Sequence, residues 1–244
     1  MATSYLTALL LSSMPALGNI SGGLVAERFE ISGDTLSLAL HVAAGIILAV
    51  VGIELLPTTL EADPPWLVLV VFLAGGFFSI GLDSLTDLIA ARTGGGRAKS
   101  GAWGIFAGVA VDLFSDGVMI GAGSTISLGL GLLLALGQVP ADIPEGFATI
   151  ATFKSKGIPR RTRLLLSLSF ALPIFLGVTV GYWLVRGQPA IVKFGLLAFT
   201  AGILLTVAVE EIIPEAHNEG EARLAAVALV GGFALFTLIS IYLE

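Results

Sequence analysis

The sequence contains no cysteine and only 12% charged residues, which excludes two large classes of protein at once. Without cysteine there is no disulfide framework and no thiolate metal site. Soluble domains carry about 25% charged residues, whereas this chain is 56% hydrophobic and has a mean hydropathy of +0.98. The composition therefore predicts an all-α integral membrane protein, and we expect the lipid bilayer and no nucleic acid among its partners.

Apolar segments of roughly 20 residues, the length that crosses a bilayer as a helix, recur along the chain. They lie at about 3–26, 36–57, 65–90, 101–124, 127–152, 163–186, 190–214 and 221–243. The polar connections between them are short and leave no room for a soluble domain. The sequence thus predicts one transmembrane domain, residues 1–244, with eight transmembrane helices.

Basic residues predict the orientation of these helices, because cytoplasmic connections carry an excess of Lys and Arg. Counted over alternate connections, ten basic residues fall on one side and only Arg186 and Lys193 on the other. The ten are Arg28, Arg92, Arg97, Lys99, Lys154, Lys156, Arg160, Arg161, Arg163 and Arg223. We expect a multi-pass protein of the cell (plasma) membrane with both termini extracytoplasmic.

The chain also repeats itself at an offset of about 157 residues. Ala-Gly-Ile followed by Glu-x-x-Pro occurs at 44–57 and again at 201–214. The first copy, 3–90, and the second, 163–243, begin on opposite sides of the membrane. This pattern predicts an inverted repeat of helices 1–3 and 6–8 in a 3+2+3 arrangement, as in many secondary transporters. Helices 4 and 5, at 101–152, fall outside the predicted repeat.

Four carboxylates lie in segments 4 and 5 with no basic residue near them. Asp112 and Asp116 are four residues apart, and Asp142 and Glu145 are three apart, so each pair shares a helix face. Gln138 lies one turn before the second pair. Each such acid costs about 2.5–3.5 kcal/mol at the centre of a membrane helix. Oxygen ligands from two helices suit a divalent cation, which is our interpretation; protonated acids and a proton relay remain alternatives.

Two prolines lie in this stretch: Pro140 precedes the second pair, and Pro144 stands between its two acids. Proline cannot donate a backbone hydrogen bond, so we expect a break in the helix that frees carbonyl oxygens for the cation. The short connection at 123–127 makes helices 4 and 5 antiparallel neighbours. Asp116 lies about ten residues before that connection and Glu145 about twenty after it, so the two are expected at different depths unless the break brings them level.

Three further residues near the cytoplasmic end of segment 7, Glu210, Glu211 and His217, are candidates for the path of a cation. An intramembrane enzyme is not expected, because the chain has no His-Glu-x-x-His pair and no cysteine. A transporter, a metal or proton sensor that moves no ions, and a proton-coupled cation exchanger are the hypotheses that the residues leave open.

Residues 142–146, Asp-Ile-Pro-Glu-Gly, resemble the fifth-helix signature of the ZIP (Zrt/Irt-like) divalent metal transporters. Residues 111–117 occupy the place of the fourth-helix His-Asn-x-Pro-Glu-Gly signature, and 201–217 resemble the seventh helix. The resemblance, which covers essentially the whole chain, implies metal import into the cytoplasm between helices 4 and 5. It also implies an elevator-like motion of helices 1, 4, 5 and 6 against 2, 3, 7 and 8. The family's metal positions carry over to Asp112, Asp116, Asp142 and Glu145.

The chain departs from the family pattern at several of these positions. Asp112 stands where the family usually has His, Leu113 where it has Asn, and Ala141 where it has His or Gln; Gln138 is one turn from that last position. A single metal is therefore expected, in a shell of oxygen ligands that shifts preference towards manganese or iron. The family still indicates zinc as the transported substrate. The resemblance implies no organic cofactor, and a homodimer stays open.

Overall fold

The computed structural model describes residues 4–92, 102–219 and 223–243, with the side chains of 82–92, 102–105, 107 and 219 outside the description. Eight long helices make up the described part of the chain. They are α1 (Tyr5–Arg28), α2 (Gly33–Ala49, Val50–Leu55 and Leu56–Leu60), α3 (Pro65–Arg92), α4 (Ala102–Ile126), α5 (Leu128–Ser155), α6 (Arg160–Ser169 and Ala171–Val185), α7 (Ala190–Val207, Ala208–Ile212 and Ile213–Glu219) and α8 (Ala225–Leu243).

Six of the helices are long and apolar enough to cross a membrane when the described residues are considered: α1, α2, α4, α6, α7 and α8. The side chains of α3 are described only as far as Gly81, and the apolar stretch found there is Pro65–Gly81; α5 contains several polar residues in its centre. These helices confirm an all-α, multi-pass membrane protein. The eight-span topology and its orientation stay predictions, and two residues of the basic count, Arg97 and Lys99, lie outside the described residues.

Serine side chains mark the starts of three helices. Ser4, Ser32 and Ser127 each accept a hydrogen bond from the backbone N–H three residues later, at 3.1, 3.3 and 3.0 Å. These bonds satisfy N–H groups that have no partner within the helix. Because α4 runs to Ile126 and Ser127 caps α5, the connection between these helices is one residue long. The predicted connection at 123–127 was therefore too long.

Two helices widen to a π-helical turn shortly before a proline. The turns are Val50–Leu55, ahead of Pro57 in α2, and Ala208–Ile212, ahead of Pro214 in α7. Proline leaves the carbonyl four residues earlier without its usual donor, and a wider turn accommodates the loss. The two turns occupy matching positions of the predicted repeat, and both contain glutamate.

Glycines bring four pairs of helices into backbone contact, and a Cβ at any of these glycines would lie 3.0 Å or less from backbone atoms of the facing helix. The pairs are Gly45 on Leu229 and Gly232 on Val42 (α2–α8), Gly202 on Phe72 and Gly75 on Phe199 (α7–α3), Gly22 on Ile143 and Gly146 on Asn19 (α1–α5), and Gly177 on Phe114 and Gly117 on Ile174 (α6–α4). The α2–α8 and α7–α3 contacts join residues that correspond at the repeat offset. These two matching contacts agree with an inverted repeat, although the repeat itself remains a prediction.

These contacts divide the helices into two groups of four. The most extensive pairings are α1–α5, α4–α6, α3–α7 and α2–α8. Contacts of α4 with α5 and of α1 with α6 join the first two pairs into group A (α1, α4, α5 and α6), and contacts of α2 with α7 join the other two into group B (α2, α3, α7 and α8). Between the groups, α2 packs on α5 and α4 packs on α7. At the boundary between the groups, Gly137 of α5 faces the side chains of Val50 (α2) and Phe236 (α8) rather than backbone.

Candidate cation site

A cavity of about 600 Å³ lies between the two groups, with walls from α2, α4, α5 and α7. Seven of the residues predicted as site or pathway residues line it: Asp112, Asp116, Gln138, Asp142, Glu145, Glu210 and Glu211. Among the described residues that line the cavity there is no Lys or Arg. The cavity therefore combines many acidic side chains with no basic side chain.

The cavity runs from the middle of the helices to one end of the molecule. At its inner end Asp116, Gln138 and Asp142 are buried, with 3%, 1% and 1% of their surface exposed. At its mouth Glu215 and Asn218 are exposed. The mouth lies where α5 and α7 end, next to Lys154 and Lys156, so it is on the side that the basic residues assign to the cytoplasm.

A hydrogen bond between α4 and α5 fixes the depth of the acids relative to each other. Gln138 Nε2 donates to Asp116 Oδ1, which places these residues side by side. In an antiparallel pair Asp142 is then level with Asp112, one turn closer to the mouth of the cavity, and Glu145 is closer to the mouth still. Sequence distances from the connection had correctly predicted that Asp116 and Glu145 lie at different depths.

The expected break in α5 does not occur. The helix is continuous from Leu128 to Ser155 and contains both Pro140 and Pro144. Each proline removes one hydrogen bond, but the turns on either side keep theirs, and close packing on α1 at Gly146 supports this part of the helix. The prediction of a broken helix was wrong. The two missing donors still leave carbonyl oxygens unbonded within the helix.

The structure adds one residue that the sequence analysis missed, Asn19 of α1. Its Nδ2 donates to Glu145 Oε2 at 3.1 Å, and only 1% of its surface is exposed. Asn19 lies in an apolar helix and outside any motif, 126 residues from its partner. The available signal was an amide in an otherwise apolar stretch, on the same face as Gly22.

Three buried oxygen atoms of this region have no hydrogen-bond partner in the described part of the chain: Asn19 Oδ1, Gln138 Oε1 and Asp142 Oδ2. More than 90% of buried polar groups in proteins are paired, and an unpaired one costs about 1–3 kcal/mol. Two of these atoms belong to residues that line the acidic cavity, and Asn19 contacts its lining residue Glu145, which indicates a place for a ligand that attracts oxygen lone pairs. A divalent cation has that chemistry.

The four predicted carboxylates are not drawn together into a compact cluster. Among the described residues, no group of three or more His, Cys, Asp or Glu side chains stands close enough together to hold a metal ion. The register explains this spacing, because Asp112, Asp116, Asp142 and Glu145 are staggered along two helices. The amides of Asn19 and Gln138 each donate to one of these carboxylates, Glu145 and Asp116 respectively.

Apolar side chains close the cavity beyond Asp116 and Gln138. One turn further on in α4, Met119 and Ile120 are fully buried, and one turn earlier in α5 so is Leu134. They pack in one hydrophobic cluster with Ile47 of α2 and other side chains of both groups. The cavity is thus open at the end where Glu215 and Asn218 lie and closed at the other end.

The three candidate pathway residues divide into two kinds. Glu210 and Glu211 line the cavity and are exposed. His217 is exposed but does not line the cavity; its ring contacts that of His41, with centroids 5.0 Å apart. Nδ1 of His41 lies 2.8 Å from Ser37 O, and Nδ1 of His217 lies 2.7 Å from Ile213 O.

An acidic cavity in the middle of a helical membrane protein, open to one side only, is typical of proteins that bind and move cations. Comparison with known proteins agrees. The family model described as ZIP Zinc transporter matches residues 93–240, more than half of the chain. The chain therefore belongs to the ZIP family, whose members are transporters and not enzymes.

Curated relatives carry the same description. Zinc transporter ZupT of Chlorobium luteolum is 27% identical over 97% of this chain and 97% of its own length. Zinc transporter ZIP4 of Mus musculus is 30% identical over 55% of this chain. Zinc transporter ZIP6 of Homo sapiens is 28% identical over 58% of it. The matched regions are 21% of mouse ZIP4 and 20% of human ZIP6, so the chain spans about a fifth of those two proteins.

Proposed function

We propose that this protein imports divalent metal ions into the cytoplasm, with zinc as its substrate and manganese or iron as further candidates. The observation that carries the proposal is the inner end of the cavity. Buried oxygen atoms there have no partner among the described residues, and no basic side chain lines the cavity to balance its acids. A cation from solution supplies both the missing charge and the missing contacts.

In this proposal the ion binds between α4 and α5 at Asp112, Asp116, Asp142 and Glu145. It then leaves along Glu210 and Glu211 towards the exposed end of α7, where His217 lies beside the exit. The structure corresponds to the state that is open to the cytoplasm. Import as the direction of transport rests on the count of basic residues and on the family.

Alternating access by an elevator motion is supported by how the two groups of helices are packed. Glycine contacts lock helices within each group, because backbone meets backbone there and a relative shift of less than 1 Å would cause overlap. Contacts between the groups are made by side chains, which can exchange neighbours. Group A, which contains α4 and α5, can therefore carry the ion past group B as one body.

Uptake into proteoliposomes that contain the purified protein tests the function. We expect saturable uptake of Zn²⁺, and we expect Glu145→Ala and Glu145→Gln to abolish it, because both remove a charged oxygen ligand. Glu61→Gln is the matched control: Glu61 is exposed in the connection between α2 and α3. Unchanged uptake by both Glu145 variants would refute the role of this residue.

The same preparation separates the transporter from the two other hypotheses. Tight metal binding to the purified protein without any flux would identify a sensor. Movement of protons against the metal, followed with a pH-sensitive dye inside the vesicles, would identify a proton-coupled exchanger. The sealed outer side and open inner side of the cavity favour a protein that alternates between two states.

A further inference from the structure

Asn19 of α1 has an orientation that chemistry determines. Its Nδ2 is 3.1 Å from Glu145 Oε2, and an ionised carboxylate can only accept a hydrogen bond. With Glu145 ionised, as it would be when it binds a cation, the NH₂ group of the amide faces Glu145. The carbonyl oxygen Oδ1 is then left as a free acceptor, and within the described residues it has no partner.

Gln138 of α5 repeats this arrangement on the other side of the site. Its Nε2 donates to Asp116 Oδ1, and its Oε1 is also without a partner among the described residues. Only 1% of each amide side chain is exposed. Two neutral amides thus each hold one carboxylate of the site with the nitrogen and leave a buried oxygen unbonded.

A purely structural role does not account for these oxygens. An amide that served only to orient a carboxylate would be expected to place its carbonyl against an N–H or O–H group, as nearly all buried acceptors do. Amide and backbone carbonyl oxygens are regular ligands of hard divalent cations. Gln138 lines the cavity, and Asn19 holds Glu145, which lines it, so a cation that moves along these carboxylates meets both amide oxygens in turn.

The distances allow one ion to contact an amide oxygen and its carboxylate together. The oxygen and nitrogen of an amide are about 2.2 Å apart, given the lengths of the C=O and C–N bonds. With Nδ2 at 3.1 Å from Glu145 Oε2, Asn19 Oδ1 lies close to the same carboxylate. Bonds of about 2.0–2.6 Å from one cation can span such a separation.

We propose that Asn19 Oδ1 and Gln138 Oε1 are ligands of the transported divalent cation, in addition to the carboxylates of α4 and α5. The inference rests on the proposed transport function. Two neutral oxygens raise the number of ligands without adding negative charge. Such a shell suits Mn²⁺, which accepts six oxygen ligands, better than Zn²⁺, which prefers four and often nitrogen. It also explains why acids and histidines alone form no complete metal cluster in the described residues.

Three variants of α1 test this assignment by initial rates of Mn²⁺ and Zn²⁺ uptake into proteoliposomes. Asn19→Leu removes donor and oxygen at similar size, whereas Asn19→Asp keeps an oxygen and removes the donor. Ser12→Ala is the control, since Ser12 is buried in the same helix and its hydroxyl donates to Leu9 O at 2.9 Å. We expect Asn19→Leu to raise KM for Mn²⁺ by about tenfold, and by less for Zn²⁺. Asn19→Asp should keep KM for both metals close to the original value, and Ser12→Ala should change nothing.

Two results would overturn the assignment. One is an unchanged KM in Asn19→Leu. The other is equal impairment of Asn19→Leu and Asn19→Asp with an unaltered ratio of Mn²⁺ to Zn²⁺ uptake, which would assign the amide only to the orientation of Glu145. If Asn19→Leu does not fold, Asn19→Asp and Gln138→Glu decide instead, by their KM for Mn²⁺ and Zn²⁺. A KM close to that of the original protein supports the assignment, and a raised KM overturns it. Absence of uptake by the unaltered protein would instead reject the transport function itself.

Discussion

Replacing Gly146 by alanine should disturb the site through the packing of α5 on α1. A Cβ at this position would lie 2.8 Å from the carbonyl carbon of Asn19 and 3.0 Å from its Cα, and it would overlap the carbonyl oxygen. These are backbone atoms, so no side chain can rotate away. The two helices must separate by about 1 Å to restore ordinary contact, and overpacking of this kind costs about 1–3 kcal/mol.

The same separation acts on the hydrogen bond between Asn19 and Glu145. At 3.1 Å the bond is already at the long end of the normal range, and a further 1 Å, roughly, breaks it. We therefore expect Gly146→Ala to lower both the midpoint of thermal unfolding and the apparent affinity for the metal. The measurements are thermal unfolding of the detergent-purified protein and metal uptake at several concentrations.

Gly129→Ala is the matched control in the same helix. Its nearest contact would be Ser127 Oγ at 3.9 Å, an ordinary distance, and alanine favours helix more than glycine does. This variant should be as stable as the original protein or more stable. If Gly146→Ala unfolds at the same temperature as Gly129→Ala and transports equally well, the reasoning from backbone contact is wrong.

Two further predictions concern the packing away from the cation site. Arg163→Met should destabilise the protein by about 2 kcal/mol, because Arg163 donates to both oxygens of the half-buried Glu27. Arg160→Met, at an exposed residue 3.5 Å from the same carboxylate, should cost less than about 1 kcal/mol, and equal unfolding midpoints would contradict this. Gly232→Ala should lower the midpoint and Gly231→Ala should not, since only Gly232 faces the backbone of α2, and a reversed order would refute the assigned contact.

The helices could be predicted from the sequence because their signal is local. Hydropathy predicted a segment at 65–90, and α3 runs from Pro65 to Arg92; it predicted 127–152, and α5 runs from Leu128 to Ser155. The continuity of α5 through Pro140 and Pro144 could not be predicted in this way. Whether a helix bends at a proline depends on what packs against it, here the backbone of α1 at Gly146.

The acids of the site could also be found from sequence, since Asp or Glu within an apolar segment needs compensation wherever it lies. Their register could not. The bond of Gln138 to Asp116 and that of Asn19 to Glu145 depend on how helices cross, and glycine contacts between distant segments set those crossings. Asn19 was missed for this reason, because nothing in its own neighbourhood in the sequence shows which helix it faces.

Anomalous X-ray scattering from crystals of the protein soaked in Cd²⁺ or Zn²⁺ tests the central claim most directly. The account predicts a strong peak in the cavity, within bonding distance of a carboxylate oxygen of Glu145. The peak should disappear in Glu145→Gln crystals grown and soaked in the same way. No peak in the cavity, or a single peak elsewhere such as at His41 and His217, would contradict the assignment of these carboxylates as the cation site.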